Sequence, residues 1–464
     1  MKKLAFGLAA ACAAAAFGNV WDGVLVKGAT DKANPVDYAA GEAIVFRLSA
    51  ENVDPSVNLA DYVFQWTRTG DDGKVEKGES AFAPGVFATV TTKMDIPGFV
   101  RLEGYLREKA TGQVVRRDKP APGSPGWSPA KEVFFDGGAG VDVARIGQEK
   151  PEPADFDAWW AQQKKILADV EMKAERRIVK NANGCAIYAL TVACAGPRPV
   201  TGYLFIPEGA APKSCGARVA FQGYGFYRQA CPEWASWSCA AKREIFLEIN
   251  AHGYELDREP EYYKEFEKGI RTPKYGYAFS PEENAKPETA YFRNMAFRVM
   301  RALQYVKSLP EWNGRSLVAE GGSQGGLQTS WAAGLDPDVT LARPSITWGC
   351  DFAMTSGARQ RLKGPWYIPY APGLDYFDSI NHIRRAKCPV EITRAGLGDY
   401  TCPPSGLAAY YNAISAPKSI LWVQGSRHGY IPPDPNQKFL VSAGHVQTGA
   451  ESKSQNASAD VKSN

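Results

Sequence analysis

Histidine is scarce in this chain: 4 residues among 464, the first of them His252. No His-Glu-x-x-His segment occurs, and the 9 cysteines show no paired spacing of a zinc module. A metal-built active site of those kinds is therefore excluded. Cysteine is absent between Trp21 and Asn183, so the first third of the mature chain is not stapled by disulfides. A dominant charge is missing as well. With 54 basic and 50 acidic residues the formal charge is +4, which gives no basic stripe and indicates neither nucleic acid nor an anionic membrane as a partner. Beyond the N-terminus no apolar run is long enough to cross a bilayer.

What is present is a globular composition, 44% hydrophobic and 22% charged, at a length that predicts two or three domains. Residues 1–18 read as a signal peptide. Lys2 and Lys3 precede an apolar stretch from Leu4 to Phe17, and Ala16-Phe17-Gly18 is a small-x-small cleavage site. Cys12 raises lipidation, but Ala9 stands where lipoprotein signals carry leucine, so a secreted or periplasmic chain without an anchor is expected. Eight cysteines then remain. Cys185 with Cys194, or Cys231 with Cys239, are spaced to bridge, although buried thiols are the commoner state of scattered cysteines.

Residues 19–140 read as all-β. The segments 23–27, 43–49, 62–69, 85–93 and 99–108 alternate apolar and polar residues between turn signals such as Gly70-Asp71-Asp72-Gly73. That spacing predicts an immunoglobulin-like β-sandwich, closed by the glycine run 137–140 and serving as a support or carbohydrate-facing module. A linker is placed at 141–155. From 156 to 446 strands alternate with helical periodicity: strands at 186–191, 202–206, 217–222, 245–250, 341–347, 390–396 and 419–424, and helices at 156–173, 290–309 and 405–413. This predicts a doubly wound, mostly parallel sheet. Residues 447–464 are small, polar and aperiodic, and are expected to be disordered.

In the middle of that sheet stands Leu317-Val318-Ala319-Glu320-Gly321-Gly322-Ser323-Gln324-Gly325-Gly326. A short strand runs through glycines into a helical segment, with Gly-x-Ser-x-Gly at the turn. This is the strand–turn–helix context that the nucleophile elbow of an α/β-hydrolase needs, the alternative being a glycine-rich turn that only packs closely. The residues flanking the serine pack too tightly for a Cβ, so Gly321 and Gly325 follow from sterics. Such a serine needs an acid and a histidine further along, in that order. Asp399 ends the strand 390–396, ahead of competitors Asp351, Asp375 and Asp378. His428 follows the strand 419–424, whereas His445 lies in the terminal region. The expected oxyanion donors are the amides of Gln324 and of Tyr224, in the glycine-flanked turn Gly223-Tyr224-Gly225. Trp348 is a candidate wall of the acyl pocket, and His252 either lines the site or caps a turn.

The motifs Gly223-Tyr224, Gly321-Gly322-Ser323-Gln324-Gly325-Gly326, Gly398-Asp399 with Cys402-Pro403-Pro404, and the helix carrying Arg301-Ala302-Leu303 resemble the acetyl xylan esterase and cephalosporin C deacetylase group, carbohydrate esterase family seven. The resemblance covers about 156–431. It implies a Ser323–Asp399–His428 triad, an oxyanion hole from Tyr224 and Gln324, no cofactor or metal, acetylated carbohydrate as substrate, and often a homo-oligomer. The chain departs from the family at Gln222, at Asn250-Ala251-His252-Gly253 and at Gly429. The departures bear on substrate and assembly, while other hydrolase activities (glucuronoyl esterase, peptidase) share the triad. A non-catalytic carbohydrate-binding protein would have no reason to keep Ser, Asp and His in hydrolase order.

Overall fold

The computed structural model describes residues 19–444 apart from 127, 227, 355 and 357–362. The leader read at 1–18, the tail at 447–464 and His445 lie outside the described residues.

Seven strands come first: β1 (Leu25–Thr30), β2 (Ala43–Glu51), β3 (Tyr62–Gly70), β4 (Glu76–Ala81), β5 (Gly85–Lys93), β6 (Gly98–Glu108) and β7 (Phe134–Val141). They form two small antiparallel sheets, of order β1-β2-β5 and β4-β3-β6-β7. One apolar core joins the two. Phe46, Leu48 and Val90 from the first sheet cluster with Phe64, Leu102 and Phe135 from the second. The alternation that predicts strands is the one that fills this core, because side chains of a strand point to opposite faces in turn. The glycine run 137–140 lies within β7, the last strand of the four-stranded sheet, which is buried along its whole length. A Cβ on Gly138 would lie 2.5 Å from the carbonyl oxygen of Val100 and 3.1 Å from that of Leu397, so glycine lets this strand sit between the small sheet and the rest of the chain.

The remaining ten strands make one mixed sheet: β8 (Ala174–Ala182), β9 (Cys185–Val192), β10 (Val200–Pro207), β11 (Cys215–Phe221), β12 (Glu244–Ile249), β13 (Trp312–Gly322), β14 (Leu341–Ser345), β15 (Val390–Gly396), β16 (Lys418–Val423) and β17 (Lys438–Ala443). Their order is β17-β16-β15-β14-β13-β11-β12-β10-β9-β8. Strands β12 to β16 in that order are mutually parallel. Antiparallel strands flank them, β10, β9 and β8 on one side and β17 on the other. The sheet is thus parallel at its centre and antiparallel at both margins.

Seven α-helices accompany it among the described residues: α1 (Phe156–Ala168), α2 (Trp234–Lys242), α3 (Pro260–Ile270), α4 (Tyr291–Ser308), α5 (Gln324–Leu335), α6 (Ser379–Ile383) and α7 (Pro404–Ala413). Helix α5 is buried on nearly every side, as the Gly-, Ala- and Leu-rich segment after an elbow must be. Arg301 of α4 is buried and donates to the carbonyls of Leu167 and Val170 at 2.7 and 2.8 Å. It thereby ties α4 to the carbonyl end of α1 and the turn that follows it. Helix α1 stops at Ala168, short of the expected 173. All 8 described cysteines are free thiols.

Candidate active site

The strands β11, β13, β14, β15 and β16 run parallel, so their carboxyl ends share one rim, where ligands bind in sheets of this kind. Each chemistry-bearing residue leaves from one of those ends. Ser323 sits between β13 and α5 at φ 58° and ψ −119°. A β-carbon-bearing residue held there is strained, and the surroundings enforce it. Its amide donates to the Ser345 carbonyl at 2.9 Å, and its own carbonyl accepts from the amide of Trp348 at 3.0 Å. A Cβ on Gly321 would meet Gly325 at 2.7 Å, and one on Gly325 would meet the Phe221 carbonyl oxygen at 2.2 Å. The two glycines demanded by the sequence are demanded by contact.

Asp399 follows β15 and is buried. Its Oδ1 accepts from the amides of Thr401 and Cys402 at 3.0 and 3.2 Å. That leaves Oδ2 for the imidazole of His428, whose Nδ1 lies 2.9 Å away. His428 follows β16, and Arg394 donates to its carbonyl at 3.1 Å. The Cys402 thiol, raised well above its ordinary pKa by burial, reaches the Ser323 hydroxyl, so the acid loop and the elbow meet. Ser323 and His428 line one cleft of about 770 Å³ together with Tyr224, Trp348, Trp366 and Arg394. The competing acids are engaged elsewhere. Asp378 accepts from the amides of Asp351, Phe352 and Ile380, Asp351 accepts from that of Glu149, and Asp375 accepts from the Tyr370 hydroxyl. Asp399, Cys402 and His428 are also close enough to share an ion, but the 2.9 Å nitrogen–oxygen contact has the length of a hydrogen bond.

The loop 223–225 follows β11, and its partners hold it against the elbow. Tyr277 donates to the Gln324 side chain at 3.0 Å and accepts from the amide of Gly225 at 3.0 Å. The Gln324 amide group reaches the Gly223 carbonyl at 3.4 Å. His252 is a correction. It is buried behind this loop rather than lining the cleft. Its Nε2 donates to the Gly225 carbonyl at 3.1 Å, and its Nδ1 accepts from the Tyr291 hydroxyl at 2.8 Å. Burial lowers its pKa to about 3, so it is neutral and fixed in one tautomer. Trp348 lines the cleft. The rings of Tyr224 and Trp348 are 5.4 Å apart, and those of Tyr224 and Trp366 5.1 Å.

Sequence reasoning missed Trp366, Arg394 and the Tyr277–Tyr291 pair. The signal for Arg394 is a register shift in β15 between Ile392 and Ala395, an irregularity of the type that re-aims a side chain and that no periodicity announces.

A serine on a strained strand–helix turn, beside a histidine bonded to a buried aspartate at the carboxyl rim of a largely parallel sheet, defines the α/β-hydrolase fold. Solved structures agree. The acetyl xylan esterase from Paenibacillus sp. R4 superposes with a TM-score of 0.53 at 25% identity, over 62% of this chain and 94% of that one. Acetyl xylan esterase 1 from Thermoanaerobacterium sp. JW/SL YS485 gives 0.51 at 20% identity, over 63% and 93%. The acetyl xylan esterase family model matches residues 142–359 and 371–442, and the chain belongs to that family. Among curated proteins it is 28% identical over 289 residues to acetyl esterase Axe7A of Xylanibacter ruminicola, covering 60% of this chain and 63% of the length of that relative.

Proposed function

We propose that the protein is a carboxylic ester hydrolase that removes acetyl groups from carbohydrate, with Ser323, His428 and Asp399 as its triad. The observation that carries this is the 2.9 Å contact between His428 Nδ1 and Asp399 Oδ2 on the wall of the cleft that exposes Ser323. Asp399 holds the proton on Nδ1, so Nε2 is the basic nitrogen. It takes the Ser323 proton as Oγ attacks the ester carbonyl. The amides of Gln324 and Tyr224 receive the oxyanion, the first because it opens helix α5 and has no intrahelical acceptor. The alcohol leaves with the proton from Nε2, and water repeats the cycle on the acyl-enzyme. His252 and Tyr277 position the Tyr224 turn.

The family membership and the names of the relatives support acetyl as the acyl group. The aromatic wall supports a small one. The two N-terminal sheets, three strands against four around a common core, are read as a sandwich of the immunoglobulin type, and residues 1–18 as an export signal.

The test is a folded Ser323→Ala variant and a folded His428→Ala variant on a chromogenic acetyl ester. Each should lose on the order of 10⁴-fold or more in kcat, because triad members act as a unit. Near-parental turnover by Ser323→Ala would overturn the assignment. Mass spectrometry of acetylated oligosaccharides after incubation with the parent enzyme tests the substrate class, with losses of 42 Da, about one acetyl each, expected from the replacement of acetyl by hydrogen.

A further inference from the structure

The seven-stranded N-terminal part supplies no residue to the triad, yet both loops that carry His428 and Asp399 rest on one of its strands. The residue before His428 is Arg427. Its Nε donates to Asp136 Oδ2 of β7 at 3.0 Å, and its Nη2 to Glu103 Oε1 of β6 at 3.3 Å and to the Tyr105 hydroxyl. The guanidinium also lies over the Phe134 ring, 3.8 Å from its centre. Asp136 is buried and is gripped from the other side by Arg101, which binds both carboxylate oxygens at 2.9 and 2.8 Å. A buried carboxylate between two guanidiniums is held in one place, because leaving it would uncover charge.

The rest of the catalytic rim makes the same contact. Gln424, which opens the His428 loop, exchanges two 2.8 Å hydrogen bonds with the backbone of Gly138, in the manner of an added strand. Tyr430, which closes that loop, meets Phe134 edge-on at 5.4 Å. In the acid loop, a Cβ on Gly398 would lie 2.1 Å from the Asp136 carbonyl oxygen, and the ring of Tyr400 lies 4.6 Å beneath the Arg101 guanidinium. Two consecutive inward positions of β7, Asp136 and Gly138, thus touch the histidine loop, and the acid loop packs on the same pair.

We infer that Asp136, acting through Arg427, is a positioning residue for His428, and that strands β6 and β7 are a working part of the hydrolase site. The inference rests on the assignment of His428 as the base. Its physical content is that a general base must stand within about 0.5 Å of its place, and that a displacement of about 1 Å imposed from a distance costs on the order of 100-fold. Asp136→Asn keeps the shape and removes the charge that Arg101 and Arg427 share.

The experiment measures full kinetics of Asp136→Asn, Arg427→Gln, the double variant and Ser323→Ala on a soluble acetyl ester. Thermal melts and the rate of Ser323 labelling by a fluorophosphonate are recorded alongside. The expected result is a kcat about 10- to 100-fold lower in each single variant with KM within about 3-fold, and a parallel loss in labelling rate, all at a temperature where the variants are folded. The double variant should be no worse than the poorer single one, since both break the same link. If Asp136→Asn does not fold, Glu103→Gln combined with Tyr105→Phe removes the outer half of the clamp, and kcat should still fall at least about 3-fold. A folded Asp136→Asn, or in its place the outer-half variant, with parental kcat and labelling rate overturns the inference and leaves the triad standing. An active Ser323→Ala overturns the triad itself.

Discussion

Replacing Trp348 by alanine tests the acyl pocket, and the size of the effect can be worked out from its contacts. The Trp348 ring packs 5.4 Å from Tyr224 and 5.8 Å from Phe279, and its indole N–H donates to the Trp366 carbonyl at 3.0 Å. Its backbone amide anchors the Ser323 carbonyl, and the substitution leaves that anchor intact. In the parent enzyme a butyryl ester brings two more methylenes than acetyl against this wall. Forcing them in costs about 1–3 kcal/mol, so acetyl should be favoured in kcat/KM by about 5- to 150-fold. With the indole gone the same two methylenes find a void and gain about 0.8 kcal/mol each on burial. The preference should then swing toward butyryl, by up to about 15-fold. Removing a buried tryptophan also costs about 3–5 kcal/mol of stability, so rates must be read well below the melting point. The assay is an acyl-chain series on one chromogenic alcohol at low substrate. An acetyl-to-butyryl ratio within about 3-fold of the parent value would refute Trp348 as the wall, and a parent profile peaking at butyryl or longer would refute the acetyl pocket.

Gly321→Ala should abolish turnover without touching any reacting atom, because its Cβ would sit 2.7 Å from the backbone of Gly325. A loss above about 100-fold with a lowered melting temperature is expected. His252 and His382 are both buried and lowered to about 3 by desolvation. The unfolded chain therefore binds more protons than the folded one between pH 6.5 and 3, and stability is present above that window and falls as pH drops through it. Each group contributes a slope of about 1.4 kcal/mol per pH unit. Asp378, raised to about 8 by burial, acts in the opposite sense, so the check is differential: chemical denaturation across this range should show a dependence flatter in His382→Gln than in the parent by about 1.4 kcal/mol per pH unit.

How legible the molecule was depends on which face each segment buries. The elbow could be read because its glycines are fixed by backbone contact, and β15 at Val390–Gly396 because Val390, Ile392 and Gly396 are buried on one face while Glu391 and Thr393 are not on the other. Strands β8 and β17 escaped because they are margins of the sheet whose side chains largely face water, so no alternation marks them. Strand β4, Glu76–Ala81, escaped for the same reason. The glycine run of β7 carries no strand signal, because glycines that let a strand pack between two bodies have no side chains to alternate, and that removes the periodicity by which strands are recognised. Asp399 and His428 were singled out from their place after strands, and they lie 2.9 Å apart. Arg394 and Trp366 were not, since a bulge and a long irregular loop set their direction. The role of Asp136 was invisible for a different reason: its partner lies 291 positions away.

In the proposed oxyanion hole, the turn that carries the Tyr224 amide leaves β11, and the helix that carries the Gln324 amide leaves β13. These strands are hydrogen-bonded neighbours, and their last pair is Phe221 with Gly321. Neighbouring strands lie about 4.8 Å apart whatever their side chains, and Gly325 closes the gap by resting on the Phe221 carbonyl. The width of the anion seat is therefore a property of sheet geometry. Side chains around it are free to drift toward other alcohols or other acyl groups while the ruler that measures the tetrahedral intermediate stays the same length. A lineage built on this plan would be expected to change what it recognises far more readily than how it reacts.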